Sequence, residues 1–359
     1  MSEVLSIKSY KGVYNVFYEQ NLEKLLEDIE DDRLHIIIDK KVYGIYSKYF
    51  ELLIKNNNTI FVDAKEENKS IQRIIPLVEK LVENKVRRSD VLIAIGGGII
   101  QDISCFIASI LLRGLTWYFI PTTLLAQADS CIGSKSSVNL GSFKNILGTF
   151  YPPKRIWICG EFLNSLEKKD LQSGIGEILK VHAIDGAESF ENIKKVFSEE
   201  IPSLDTMQIY IKSALEIKKA YIEIDEFDKG SRNIFNYGHS FGHAIESATH
   251  FAIPHGVAVS IGMDMANHIA VMRGILPKIQ RERMHKVLFN NYQDFKTVPI
   301  PIEKMLLALS KDKKNTRTEL KLIFPIGEFA KIEKVSIKFD DNFRNQCKIF
   351  LESMLSFKP

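Results

Sequence analysis

Short apolar runs alternate with amphipathic stretches through the first 160 residues, and this limits the folds open to the chain more than any other feature. Residues 34–38 (LHIII) read as a buried strand ending at Asp39, and a 3.6-residue apolar period predicts a helix over 41–54. TIFV at 59–62 is a second strand. Ile71, Ile74, Ile75, Val78 and Leu81 share one side of a helix over 70–85. VLIAI at 91–95 runs into Gly96-Gly97-Gly98 and then a helix to about 112. LTWYFI (115–120) and RIWIC (155–159) complete the series. Strand and helix in turn build a parallel sheet with right-handed crossovers, and such sheets bind ligands at the carboxyl ends of their strands. The conspicuous polar residues do follow strands: Asp39, the glycine triplet with Asp102, and Pro121-Thr122-Thr123.

After about residue 165 helical periodicity takes over, at 169–184, 187–197, 205–225, 236–250, 257–273, 277–290 and 302–310, with one late strand at 320–326. The sequence therefore predicts an α/β Rossmann-like N-terminal domain over 1–165 and a mostly α-helical C-terminal domain over 166–359. No flexible linker composition marks the junction, so a fixed interface with a cleft is expected.

Hydrophobic content of 45% and charged content of 26% suit a globular enzyme. A net charge of +3, with scattered basic residues, gives no nucleic-acid stripe. No apolar stretch is long enough for a bilayer, and the first residues lack a signal-peptide pattern. Cys105, Cys131, Cys159 and Cys347 are too far apart for a zinc ribbon or disulfide framework. A reduced, cytoplasmic setting is expected.

Residues 236–256, NYGHSFGHAIESATHFAIPHG, hold His239, His243 and His255. His239 and His243, four apart, share a helix face. Pro254 favours an extended residue 253, so His255 enters from a fresh turn. Converging imidazoles can hold a divalent metal; alternatively, these are polar residues on a helix packed by Ala244, Ile245 and Ala248. Glu177, in SGIGEILKVH, offers an oxygen donor or forms a surface pair with Lys180. Lys218, Arg232 and Asn236 precede the histidines, and cations there suit an anionic substrate. The glycine triplet fits a phosphate cradle or a plain tight turn. Asp39 fits a ribose hydroxyl or a turn. Residues 121–150, with Lys135, Lys144 and Asn145 among small residues, fit a phosphate-binding loop or a solvated one. Lys313 and Lys314 alone read as solvated.

Together these motifs resemble the 3-dehydroquinate synthases, within the sugar-phosphate cyclases. The resemblance runs from Asp39 to Ile326 through GGG with Asp102, LRG at 112–114, PTTLLAQADS, the lysine loop, GxxEILK, NYGHSFGHAIE, HGxAV and DKK. It implies a dehydroquinate synthase-like fold and an NAD- and divalent-metal-dependent carbon–oxygen lyase. The reaction implied converts 3-deoxy-D-arabino-heptulosonate 7-phosphate to 3-dehydroquinate and phosphate, in the shikimate pathway of aromatic amino acid biosynthesis. Its logic is transient oxidation by NAD, phosphate elimination, re-reduction and intramolecular aldol closure. The resemblance places metal ligands (Zn2+, or another divalent metal such as Co2+) at Glu177, His239 and His255, and a catalytic residue at His243. Lys135, Lys180 and Asn236 join His243 at the reacting centre. Substrate positions fall on Asp129, Lys144, Asn145, Lys218, Arg232, Lys313 and Lys314. Cofactor positions fall on Asp39, Glu66, Lys69, Gly97, Gly98, Asp102, Thr122, Thr123, Phe162 and Ser165, with Lys135 and Lys144 shared. Arg113 resembles an arginine that reaches a neighbouring subunit's phosphate site, which implies a homodimer.

Four residues depart from the usual pattern beside these positions: Gln101 and Ser134 for glycines, Val257 for an acidic residue, and Lys65 for glycine. They motivate a second reading, a paralogous cyclase acting on another sugar phosphate. A metal-dependent polyol dehydrogenase is a third, opposed by the phosphate lysines and Asn145. An inactive metal-binding homologue is a fourth, opposed by the presence of every key residue.

Overall fold

The apolar runs of the first part form one sheet. In the computed structural model, which describes residues 3–29, 33–141, 143–197, 201–311, 319–328 and 330–357, the chain divides into two compact units. One is Met1–Leu166 with Ile211–Phe227; the other is Glu167–Tyr210 with Asp228–Pro359.

The first unit runs β1 (Glu3–Ser9), β2 (Gly12–Glu19), α1 (Leu22–Glu27), β3 (Leu34–Asp39), α2 (Lys40–Asn56), β4 (Asn58–Val62), α3 (Ile71–Glu83), β5 (Val91–Gly96), α4 (Gly98–Ile110), β6 (Thr116–Pro121), β7 (Val138–Leu140), β8 (Phe143–Leu147) and β9 (Arg155–Cys159). Seven strands make one sheet in the order β1-β2-β9-β6-β5-β3-β4, parallel except for the β1–β2 hairpin at its edge. All six residues of β5 and five of the six in β3 are buried, as continuous apolar runs must be when both sheet faces are covered. Ile36, Ile38, Ile93, Ile95, Ile120, Trp157 and Phe162 belong to that core. The chain steps from β3 outward to β4, then back across β3 to β5 and onward to β6. The order therefore reverses between β3 and β5, whose carboxyl ends carry Asp39 and Gly96. Such a switch point is where open α/β sheets leave a crevice for ligands.

The second unit holds α5 (Lys168–Asp185), α6 (Ala187–Phe197) and the first part of α7 (Leu204–Ile224), then α8 (His239–Ala248), α9 (His255–Met272), α10 (Lys278–Tyr292), α11 (Ile302–Ser310), β10 (Glu319–Ile326), β11 (Lys331–Lys338) and α12 (Asp341–Ser356). Helix α9 is buried from Gly256 to Asn267, and α5, α8, α10 and α12 pack on it. A helix apolar on nearly every side belongs at a centre of this kind. Among the described residues, no helix is long and apolar enough to cross a membrane.

Several local expectations shift. The β1–β2 hairpin, α1 and β11 carry short or mixed patterns and go unread in the sequence, as does α12, although Phe343, Cys347, Phe350 and Met354 are buried at helical spacing. Residues 121–150 are not one loop: they contain a π-helical turn at Ala126–Ser130 and the β7–β8 hairpin. The helix expected from 236 begins at His239, because Gly238 takes φ +77° and separates it from a 3-10 turn at Ser231–Asn236. His255 opens α9 directly after extended Pro254, two residues before the expected start of that helix.

Candidate functional site

Three helices of the second unit bring the metal-site candidates together. Glu177 and Lys180 lie mid-way along α5, His239 and His243 on the first two turns of α8, and His255 at the start of α9. Close backbone approach makes this convergence possible. A Cβ on Gly176 would lie 2.0 Å from the carbonyl oxygen of Gly256, so only glycine lets α5 meet α9 there. The amide of Gly256 donates to Ser173 Oγ at 2.9 Å, pinning the contact.

Ring nitrogens of His239, His243 and His255 all lie within 4.8 Å of one another. Glu177, 1% exposed, points Oε1 to 3.2 Å from His255 Nε2 and 3.5 Å from His239 Nε2. That oxygen takes no well-formed hydrogen bond from any described residue, although it is buried. An unsatisfied buried acceptor costs about 1–3 kcal/mol, more if charged, so the geometry asks for an electrophile. The other carboxylate oxygen meets the ammonium of Lys180, itself 2% exposed. Burial opposes ionisation of Glu177, yet Lys180 and the two histidines hold its carboxyl well below the usual range. Burial, and next the charge of Lys180, hold His239 well below the usual imidazole range. Burial works the same way on His255, but Glu246 and Glu177 push it up to about 10. Two carboxylates thus call for positive charge at this spot. Glu177 Oε1 and the two Nε2 atoms are donors that could hold a divalent cation here, which would supply it.

The three histidines are not equivalent. His239 turns Nδ1 toward the carbonyl oxygen of Tyr237 at 3.3 Å, and His255 turns Nδ1 toward Glu246 at 3.1 Å. Both present Nε2 to Glu177 Oε1. His243 is exposed, edge-on to His239 and stacked on His255. Arg232, 4% exposed, and Asn236, donating to Asn233 O at 3.0 Å, occupy the 3-10 turn before α8. Lys313 and Lys314 lie outside the described residues.

In the first unit Asp39, Glu66, Lys69, Gly97, Gly98, Asp102, Thr122 and Thr123 follow the carboxyl ends of β3, β4, β5 and β6, while Phe162 and Ser165 follow β9. Asp39 caps α2 by accepting from the amide of Lys41 at 3.0 Å. Gly97 caps α4, and a Cβ on it would press within 2.9 Å of Thr123. A Cβ on Gly98 would come within 3.9 Å of Ser130 Oγ, an ordinary contact. The triplet is thus tightly packed at Gly97 and in ordinary contact at Gly98. Lys69 gathers a cluster around it, with Nζ 3.0 Å from Asp102, 3.1 Å from Asn145 and 3.7 Å from Glu66. Burial pushes the Asp102 carboxyl up to about 6, with Lys69 pulling the other way. Thr122, after β6, is buried. The Phe162 side chain is taken up by the core against Tyr46 and Phe50, and Ser165 donates to the Phe162 carbonyl. Lys218 pairs with Asp129 at 2.9 Å. Lys135 and Lys144 are exposed. Arg113 is exposed on a turn in which Leu112, Arg113 and Gly114 all take positive φ.

Two of the unusual residues acquire partners. Gln101, 6% exposed, accepts from Ser130 Oγ at 2.6 Å and donates to the Ser130 carbonyl, tying α4 to the turn that carries Asp129. Ser134 takes φ +68° and donates its hydroxyl to Glu226, which also accepts from Ser9 Oγ and the Tyr10 amide. Sequence reasoning missed Glu226 and Glu246 as supports. Glu246 stands inside the quoted HAIE motif, seven residues beyond His239, a spacing that returns to one helix face.

Residues 59–173 match the profile for the 3-dehydroquinate synthase N-terminal domain, and residues 174–315 that for the C-terminal domain. The chain is 34% identical to the 3-dehydroquinate synthase of Clostridium tetani (strain Massachusetts / E88), over 95% of this chain and 92% of that one. It is 33% identical to that of Thermoanaerobacter sp. (strain X514), over 89% and 91%. Among solved structures, a 2-deoxy-scyllo-inosose synthase complexed with carbaglucose-6-phosphate, NAD+ and Co2+ superposes with a TM-score of 0.85 at 23% identity, over 98% of this chain and 99% of that one. The 2-epi-5-epi-valiolone synthase of Streptomyces hygroscopicus subsp. jinggangensis 5008, with NAD+ and Zn2+ bound, gives 0.82 at 24% identity, over 96% and 97%.

Proposed function

The chain belongs to the 3-dehydroquinate synthase family, and from that premise we propose that it converts 3-deoxy-D-arabino-heptulosonate 7-phosphate to 3-dehydroquinate and phosphate, with NAD and a divalent metal. The observation that carries the metal-dependent reading is Glu177 Oε1, buried and unsatisfied between two imidazole nitrogens. When bound, NAD supplies reversible hydride exchange at a carbinol carbon and the metal polarises that carbinol's oxygen.

The protein's own groups do the rest. Glu177, His239 and His255 are the metal ligands, zinc being the ion this mixed nitrogen and oxygen set suits. Lys180 keeps Glu177 ionised through its buried ion pair. His243, exposed beside the ligands, moves protons through its imidazole, with Asn236 and Lys135 orienting the reacting carbons. Asp39, Glu66, Lys69, Gly97, Gly98, Asp102, Thr122, Thr123, Phe162 and Ser165 form the cofactor site. The position of Asp39 and the glycines at the carboxyl ends of β3 and β5, where the strand order reverses, supports that assignment. Lys144, Asn145, Lys218, Arg232, Lys313 and Lys314 are the anion-holding groups for phosphate and carboxylate, with Asp129 setting Lys218 through their ion pair. The protein works in the cytoplasm as a homodimer, Arg113 reaching the neighbouring protomer from its exposed turn.

Purified protein with NAD and Zn2+ releases phosphate from the heptulosonate phosphate without net NADH. Full metal loading without phosphate release refutes this activity. Gln101 and Ser134, both tied into the first unit where glycines are usual, favour one second reading: cyclisation of another sugar phosphate. Phosphate release from a hexose 6-phosphate, and not from the heptulosonate, selects it. Steady NADH accumulation selects a polyol dehydrogenase.

A further inference from the structure

We infer that Glu246 is a positioning residue for the metal centre, fixing the tautomer and ring orientation of His255. The inference rests on the proposed ligand role of His255. An imidazole that ligates through Nε2 must be neutral and carry its proton on Nδ1, and an acceptor at Nδ1 selects that form. Glu246 Oε2 lies 3.1 Å from His255 Nδ1, while His255 Nε2 lies 3.2 Å from Glu177 Oε1. The ring is therefore held between two carboxylates, one on each nitrogen. Glu246 is 8% exposed and sits on α8, so it is an interior group facing the first residue of α9.

The two ligand histidines differ in this support. Among the described residues, the hydrogen-bond partner of His239 Nδ1 is the carbonyl oxygen of Tyr237 at 3.3 Å, from the segment just before its own helix. His255 starts a helix, with 32% of its side chain exposed, and has only extended Pro254 before it. Of the two rings it has more freedom to turn away, and it is the one given a carboxylate. Val257, where an acidic residue is common, is wholly buried and apolar, so the carboxylate beside His255 Nδ1 comes from α8. One short helix thereby carries a ligand at His239, an exposed imidazole at His243 and the orienting group for a ligand on the next helix.

The test is metal affinity, read by chelator competition with Zn2+, together with the visible absorption of the Co2+-loaded protein. Glu246→Leu keeps the volume and removes the acceptor. Its Zn2+ affinity falls about 10- to 100-fold, the usual effect of losing such a partner, and its Co2+ bands shift. Glu246→Gln keeps a carbonyl acceptor and recovers at least part of the lost affinity. Circular dichroism of the metal-free proteins establishes that each variant is folded, and if Glu246→Leu does not fold, Glu246→Gln against native protein carries the test. The inference is overturned if folded Glu246→Leu binds Zn2+ within twofold of native with unchanged Co2+ bands. It is also overturned if Glu246→Gln loses as much as Glu246→Leu, since charge alone would then be the cause. Native protein that binds no metal would refute the ligand assignment itself, which separates the two failures.

Discussion

Glu177→Gln tests the centre most severely, because it separates metal binding from stability. The substitution keeps shape and removes one charge. Lys180, 2% exposed and in contact with that carboxylate, then faces a neutral amide in place of the carboxylate. Breaking a buried pair from one side costs about 3–5 kcal/mol, because the remaining charge has lost both water and partner. For a domain the size of the second unit, each kcal/mol moves the melting temperature by about 2–4 °C, so a fall of roughly 6–20 °C is expected. The assay is thermal unfolding in chelator, where no metal contributes. Removing both charges with Glu177→Gln/Lys180→Met returns most of the loss, since buried pairs replaced by uncharged groups are often neutral. Metal affinity does not return. If the single variant melts within 2 °C of native, or the double variant melts lower still, the account of Glu177 and Lys180 as one buried pair is wrong.

His239→Ala loses metal, while His243→Ala retains it and loses turnover; equal metal loss, measured by elemental analysis, would refute the division of roles. Ser134→Ala removes a hydroxyl donor to the buried Glu226 carboxylate and costs about 1.5–3 kcal/mol in urea unfolding; an unchanged midpoint would show that Ser9 and Tyr10 suffice. Burial, then the charge of Arg281, hold His268 on α9 at about 4 against its ordinary 6.5, with Asp264 opposing and His285 adding. The unfolded chain then takes up this proton before the folded one. Stability from this group is intact above pH 6.5 and is lost as pH falls toward 4. Partial exposure limits the effect to about 1–2 kcal/mol, and His268→Phe flattens that limb of the urea midpoint against pH; an unaltered slope assigns it elsewhere.

The parallel sheet was legible because its strands are continuous apolar runs, and the helices because their periods are long. What escaped was short or mixed. β1 buries one residue and β2 three, β7 has three residues, and β11 carries charges on both faces. Residue types at fixed spacings located the histidines, but not the nitrogens they turn to one another. That orientation depends on Gly176 meeting Gly256 and on Glu246 crossing from α8 to His255, contacts distant in sequence that no period encodes. Gln101 and Ser134 looked like losses of glycine; only their partners, Ser130 and Glu226, reveal what each side chain gains.

The first unit is not a contiguous piece of chain, and this bears on how the protein is made. Its last segment, Ile211–Phe227, supplies Lys218 to Asp129, Glu223 to the Lys8 amide, and Glu226 to Ser9, Tyr10 and Ser134. At ribosomal rates of about 5–20 residues per second, the roughly sixty residues between Leu166 and Phe227 take on the order of 3–12 s to emerge. During that interval the nascent sheet carries Glu3 and Asp129 without Lys212 and Lys218, while Ser134 awaits Glu226. A gene cut at residue 166 would leave the amino-terminal product in that state permanently.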